Sequence, residues 1–233
     1  RTYPLLVDSQ TLLPAQRVLQ EFDLDYCAHL RPGSGGRGDR YSCADPLASG
    51  GEGPEMVVVN GEGGRPYAVS KHEVSTGDFE KYCLAGGDCP APLAGSAELP
   101  VSNISLDQAQ GYLAWLSTQT GREYRLPTER EWFAAASVDG RGEVADRNCF
   151  LTYGGIRKGG ELVAVQAGTG NPFGLINTVG NVREWVWGAD GRLIAAGGSR
   201  QDPMSRCLVT SKVFHNGAPD DVTGFRVVRN LSR

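Results

Sequence analysis

The stretch YRLPTEREW, residues 124–132, decides the fold because it holds one of the three helix starts that the sequence marks. Thr128 stands three residues before Glu131, so its hydroxyl can accept a hydrogen bond from the Glu131 amide while the Glu131 side chain reaches back. Two more helix starts carry related spacing, at Ser75 with Asp78 and at Ser105 with Gln108. Apolar residues then recur at helical spacing after Ser105 and Thr128, which predicts that both helices pack on one core.

The pattern of the chain changes at about residue 55. Residues 12–22, LLPAQRVLQEF, are amphipathic at helical spacing and the loop RPGSGGRG follows, so we expect residues 1–54 to form a helical appendage and linker. In the domain expected over residues 55–233, MVVV and PYAVSKHEV flank the turn GEGG and predict a hairpin. Further strands are predicted at residues 162–165, 192–198 and 224–228.

Charge and hydropathy exclude two classes of function. The 23 basic and 27 acidic residues give a net charge of −4 without a basic run, so the chain lacks the electrostatic footprint of a nucleic-acid binder. No apolar stretch approaches the roughly 20 residues that a membrane span needs. The chain begins at Arg1 without a methionine, so we expect that a signal peptide or an anchor has been removed.

The six cysteines form no CxxC pair, which argues against a zinc ribbon or a thioredoxin-like site. Cys83 and Cys89 bracket the turn LAGGD, and Cys27 and Cys43 bracket a glycine-rich loop, so two local disulfides are predicted. Oxidised cysteines imply the periplasm or the extracellular space, whereas buried free thiols are the alternative.

Several motifs in order resemble the formylglycine-generating enzyme (sulfatase-modifying factor) family. They are YRLPTEREW, then GLINTVGNVREW at residues 174–185, then GGS at 197–199, and finally GFRVV at 224–228. The resemblance spans roughly residues 55 to 229. It implies an α+β fold of the C-type lectin-like kind, rich in loops and with little regular secondary structure, that binds calcium in its loops.

The calcium prediction comes mostly from this resemblance. The family places calcium at the positions matching Asn177, Gly180, Val182 and Glu184, where side-chain and carbonyl oxygens suit Ca²⁺. From the residues alone, Asn177 and Glu184 would be interpreted as parts of a hydrogen-bonded turn. A second family site would begin at Asn148, but LTYGGIRKGGEL, residues 151–162, replaces the aspartate-containing loop that completes it.

The resemblance also implies where catalysis would occur. Family catalysts oxidise a substrate cysteine with copper(I) held by two cysteines, three and eight residues after the serine of GGS. Here Asp202 and Cys207 follow Ser199 at those distances, and a carboxylate is a poor partner for so soft an ion. The three histidines form no cluster that could hold iron instead. Cys207 is therefore predicted to pair with Cys149, the cysteine left after the two local pairs, and no catalytic residue is assigned.

Two functions of different classes follow. The first is a non-catalytic periplasmic binding or regulatory protein, because ADPLASGGEGPEMVVV, residues 44–59, resembles extracytoplasmic, kinase-associated members of the family. Such members imply a protein partner, the periplasmic part of a receptor in the threonine-phosphorylation pathway that controls type VI secretion. The alternative is a metal-dependent oxidase related to formylglycine-generating or siderophore-maturation enzymes. A ligand-displaying lectin-like protein is disfavoured, because no Asn-rich variable stretch precedes GFRVV.

Overall fold

The computed structural model describes residues 25–33, 42–90, 93, 95–137 and 147–231. Within them lie three α-helices and ten short strands, the helices being α1 at Thr76–Leu84, α2 at Leu106–Thr120 and α3 at Glu129–Ala136. The predicted helix over residues 12–22 lies outside the described residues.

Each α-helix begins at the hydroxyl residue that the sequence predicts. The side chains of Ser75, Ser105 and Thr128 accept hydrogen bonds from the amides three residues on, and the second and third helices have complete capping boxes. Helix α2 ends at Gly121, whose φ of 67° is left-handed and therefore favours glycine. Local polar groups thus define where these helices start and where α2 stops.

The first sheet has four strands in the order β1-β2-β10-β3, all antiparallel. Its strands are β1 at Met56–Asn60, β2 at Pro66–Ser70, β3 at Tyr124–Arg125 and β10 at Val228–Asn230. The predicted hairpin of β1 and β2 is confirmed, and the C-terminal strand closes the sheet by pairing between β2 and β3.

The second sheet has the order β8-β7-β6-β9 and carries the candidate site. Its strands are β6 at Arg183–Trp187, β7 at Leu193–Ala196, β8 at Lys212–Phe214 and β9 at Thr223–Gly224. A separate hairpin is formed by β4 at Leu151–Tyr153 and β5 at Ile156–Lys158.

Two strand predictions need correction. Residues 162–165 form no strand. The backbone carbonyls of Val163, Ala164 and Val165 accept instead from the side-chain amides of Asn177 and Asn181. GFRVV is not one strand either. Gly224 ends β9 beside β6, Val228 begins β10 in the other sheet, and the residues between them cross from one sheet to the other.

Aromatic side chains fill the space between the helices and the two sheets. Phe79 stacks on Tyr112, Phe225 packs edge-on against Tyr112, and Trp185 stacks on Phe225. All four are at most 1% exposed. This packing joins α1 and α2 to β6 and so fixes the sheet that bears the site.

The structure contains the three predicted disulfides, Cys27–Cys43, Cys83–Cys89 and Cys149–Cys207, and the described residues include no free cysteine. Disulfides persist in oxidising compartments, so they indicate a protein that works outside the cytoplasm. None of the helices in the described part of the chain has the length and apolar run needed to cross a bilayer.

The described parts of the N-terminal region contact the domain. Arg229 on β10 is fully buried and donates to both carboxylate oxygens of Asp25, at 2.7 and 2.9 Å, and to Asp45 at 3.0 Å. Tyr124 donates its hydroxyl hydrogen to Asp45 at 2.6 Å. One buried guanidinium therefore ties residues 25 and 45 to the first sheet.

Candidate functional site

Asp202 stands where the family's first copper thiolate would be, and its carboxylate is fully engaged. Both oxygens pair with the guanidinium of Arg183 on β6, at 2.9 and 3.1 Å. The amide and the hydroxyl of Ser199 also donate to Asp202 Oδ2, at 2.8 and 2.9 Å. This carboxylate therefore acts as a structural acceptor that closes the turn after GGS.

The surroundings of Asp202 favour its charged form. Burial raises the pKa of this carboxyl, but the hydrogen bonds from Arg183 and Ser199 outweigh burial and hold the pKa below its ordinary value of 3.8. Arg183 was not singled out by the sequence. Arg183 lies nineteen residues before Asp202, and no local sequence pattern indicates that the two side chains pair, because β6 and the GGS loop meet only in the folded chain.

Replacing Asp202 with asparagine should remove an acid-dependent part of the stability. Because the folded-state pKa is lowered, the stabilisation is present above the unfolded pKa and is lost as pH falls through the folded one. We expect urea unfolding of wild type and Asp202→Asn to differ at about pH 6 and to converge as pH falls below about 4. A stability difference that stays constant over this range would contradict the assignment.

Cys207 stands at the second copper position, and its sulfur is bonded to that of Cys149. The S–S distance is 2.00 Å and the two Cα atoms are 6.3 Å apart. Both residues are fully buried. Gly198 lies against this disulfide with a φ of +73°, and a Cβ there would lie 3.0 Å from the Cys207 sulfur. The local backbone is thus built around a disulfide, and it offers no thiolate.

The loop NTVGNVRE, residues 177–184, contains the four predicted calcium ligands, which lie just before β6 or at its start. Glu184 is 1% exposed, and its carboxylate accepts from Arg226 at 2.6 and 2.7 Å and from the Trp132 indole at 2.6 Å. Its charge is therefore balanced inside the protein by Arg226. Asn177 adopts a φ of 54° and Gly180 a φ of 86°, so the loop is sharply turned at both residues.

A second buried carboxylate, which the sequence did not reveal, faces this loop. Glu73 accepts from the side-chain amide of Asn181 at 2.9 Å, and its oxygens lie 3.4 Å from the Asn177 side-chain amide and the Val182 backbone amide. Burial, with Glu184 nearby, raises the pKa of Glu73 to about 8. Glu73 precedes the loop by more than a hundred residues, so no local pattern links them.

The donor set of this loop fits a hard cation in part. The Thr178 hydroxyl is buried without a hydrogen-bond partner among the described residues, and Glu73 supplies a carboxylate beside Asn177 and Val182. Oxygens of these kinds are what Ca²⁺ accepts. Glu184 fits less well, because Arg226 and Trp132 already use both of its oxygens.

Asn148, where the second calcium site of the family would begin, is hydrogen-bonded within the protein. The Asn148 side-chain amide donates to the Glu161 carbonyl at 2.9 Å and to the Asn181 side-chain oxygen at 3.1 Å. Its neighbour Cys149 belongs to the disulfide. This position therefore braces the NTVGNVRE loop from outside.

Comparison with known proteins identifies the family of the chain. The model of the sulfatase-modifying factor enzyme 1-like domain family matches residues 58–231. No curated protein matches the sequence significantly.

Several solved structures share the fold. They include PvdO from Pseudomonas aeruginosa (TM-score 0.62, 22% identity, 76% of this chain and 95% of that chain). Treponema denticola variable protein 1 has a TM-score of 0.63 and 17% identity, over 80% of this chain and 98% of that chain. CarF has a TM-score of 0.59 and 19% identity, over 82% of this chain and 94% of that chain. At such low identities these likenesses concern the fold, which is the α+β, C-type lectin-like fold of formylglycine-generating enzymes. Because the family model covers well over half of the sequence, the chain belongs to the sulfatase-modifying factor enzyme 1-like (FGE-sulfatase) family.

Proposed function

We propose that this protein is a non-catalytic binding or regulatory module of the periplasm that uses the family fold to contact a protein partner. The observation that carries the proposal is the state of the two copper positions. One is Asp202, paired with Arg183, and the other is Cys207, bonded to Cys149. Copper(I) needs soft thiolate donors, and neither position supplies one.

The setting we propose is the threonine-phosphorylation pathway that controls type VI secretion, with the periplasmic part of a pathway receptor as partner. The resemblance of residues 44–59 to kinase-associated family members supports it. The three disulfides support the periplasm, because the bacterial periplasm is oxidising.

We also propose that the NTVGNVRE loop binds calcium through Asn177, Gly180, Val182 and Glu184. The orphaned hydroxyl of Thr178 and the carboxylate of Glu73 beside the loop support a cation there. Since the pKa of Glu73 is raised, binding of the cation should displace a proton from this carboxyl. Calcium would act structurally, because an ion that binds only the folded state stabilises it increasingly as the free calcium concentration rises above the Kd.

A direct assay tests the absence of catalysis. Wild-type protein, loaded with copper under air, is incubated with a sulfatase-type cysteine peptide, and the peptide mass is followed. We expect no conversion of the cysteine to the aldehyde, and Asp202→Cys alone should also be inactive because Cys207 stays oxidised. A family enzyme with both cysteines serves as the positive control. Turnover by the wild type would overturn the proposal and favour the metal-dependent oxidase.

A further inference from the structure

Exposed apolar side chains gather around the Cys149–Cys207 disulfide. Phe150 follows the first cysteine and Leu208 the second, and they are 37% and 38% exposed. Leu151 and Tyr153 lie on one face of β4, 37% and 78% exposed. The disulfide holds the two segments together, and we call their exposed side chains, these four and Arg206, the disulfide face.

The disulfide face is held rigidly at its base. The Phe150 amide donates to the Asp202 carbonyl and the Met204 amide donates to the Phe150 carbonyl, both at 2.9 Å. At the other end of the hairpin, the Gly160 amide donates to the Arg200 carbonyl at 2.9 Å. A surface fixed in advance loses little conformational entropy on binding, which favours its use as a docking site.

The charge of this region is opposite to that of the whole chain. Residues 147–160 and 203–212 contain no Asp or Glu, whereas the chain carries a net charge of −4. Of their basic residues, Lys212 pairs with Glu129 and Arg147 donates to the Cys207 carbonyl, whereas Arg157 and Arg206 are exposed. The guanidinium of Arg206 is exposed and has no acidic partner among the described residues. The disulfide face therefore complements a surface that is both apolar and acidic.

We propose that the disulfide face docks a protein partner whose contact surface combines apolar and acidic side chains. The proposal rests on the proposed binding function and assigns it a surface. Aromatic residues and arginine are enriched in protein interfaces, and here a tyrosine and an arginine accompany phenylalanine and leucine.

A lipid surface fits these observations less well. Only Tyr153 projects strongly, whereas the other three apolar side chains are about two-thirds covered by the protein. Insertion into a bilayer is favoured in proportion to the apolar area that enters it, and one projecting ring supplies little apolar area.

Site-specific photocrosslinking in the bacterium that makes the protein tests the surface. The photoreactive amino acid benzoylphenylalanine replaces Tyr153, or Leu84 as the matched control, which is 83% exposed on α1. We expect a protein adduct from position 153 and none from position 84. No adduct at position 153, or adducts only with lipid or with a second copy of this chain, would overturn the proposal.

The adduct partner is then purified and its affinity measured for full-length variants. We expect Tyr153→Ala to weaken binding about tenfold or more, as for an interface hot spot, and Arg206→Glu to slow association in a salt-dependent way. Leu84→Ala should bind like the wild type. All three side chains are exposed, so unchanged melting temperatures will show that folding is intact.

The possible outcomes distinguish a failure of the proposed docking surface from a failure of the proposed binding function. A partner that binds Tyr153→Ala and Arg206→Glu as tightly as the wild type, or that crosslinks from position 84 instead, would overturn the docking surface and leave the binding function standing. Aldehyde production in the peptide assay would overturn the proposed function itself.

Discussion

Replacing Glu184 with alanine should lower the free energy of unfolding by about 3–5 kcal/mol, the usual cost of removing one partner of a buried ion pair. The side chains of Glu184 and Arg226 are each 1% exposed, and the Glu184 carboxylate accepts two hydrogen bonds from Arg226 and one from Trp132. The substitution would leave a buried guanidinium without its counter-charge and an indole N–H without its acceptor. Urea unfolding measures the loss.

Two controls define the cause of that loss. Asp190→Ala removes an exposed pair with Arg192 and a hydrogen bond from the Arg192 amide, and it should destabilise far less than Glu184→Ala, because water screens exposed pairs. The double variant Glu184→Gln/Arg226→Met removes both charges together, so it should be more stable than Glu184→Ala. A loss as large in the double variant would mean that the carbonyls of Ser70, Lys71 and Ile176, which lose Arg226 as their donor, matter as much as the charge balance.

The same measurement separates the ion pair from calcium. Unfolding is repeated in EDTA and in saturating calcium. If Arg226 alone explains the loss, the difference between wild type and Glu184→Ala will be equal in both conditions. If Glu184 also binds calcium, only the wild type will gain stability from the ion, so the difference will grow. No stabilisation of the wild type by calcium would contradict the calcium site.

Local patterns predicted the parts of the fold that depend on near neighbours. Ser105 and Thr128 cap their helices because the partner lies three residues away, and the Cys83–Cys89 pair closes a six-residue separation. The resemblance to the family supplied the order of the larger elements. These features depend on residues that are close in sequence or on a recognisable motif, and both can be detected in a single sequence.

The candidate site was harder to predict because its groups meet from distant parts of the chain. Glu73 contacts Asn181 across 108 positions, and Arg226 reaches Ser70 across 156. The apolar run at residues 162–165 suggested a strand, but long-range contacts with Asn177 and Asn181 use its carbonyls instead. A short apolar run reports only the hydrophobicity of its side chains, and it carries no information about distant side-chain amides that compete for the backbone carbonyls.

We expect tight binding of copper(I) only when positions 202 and 207 both carry a free thiol. Asp202→Cys supplies one thiol, and Cys149→Ala releases the other by breaking its bond to Cys207. Arg183, freed from Asp202, would lie beside the introduced thiol and favour its thiolate. Two donors on one scaffold act at high effective concentration, so we expect the double variant to bind copper(I) on the order of 100-fold more tightly than either single variant.

Competition against a chromophoric copper(I) chelator measures this difference. Loss of the Cys149–Cys207 disulfide, which closes a separation of 58 residues, should cost about 4 kcal/mol, so thermal unfolding must first show that each variant is folded. Cys149→Ala alone is the matched control, because it has the same missing disulfide and one free thiol. Equal affinity of the double variant and this control would mean that positions 202 and 207 do not converge. In that case the proposed lack of catalysis would depend on the backbone of the loop as well as on the presence of Asp202 where the family has a cysteine.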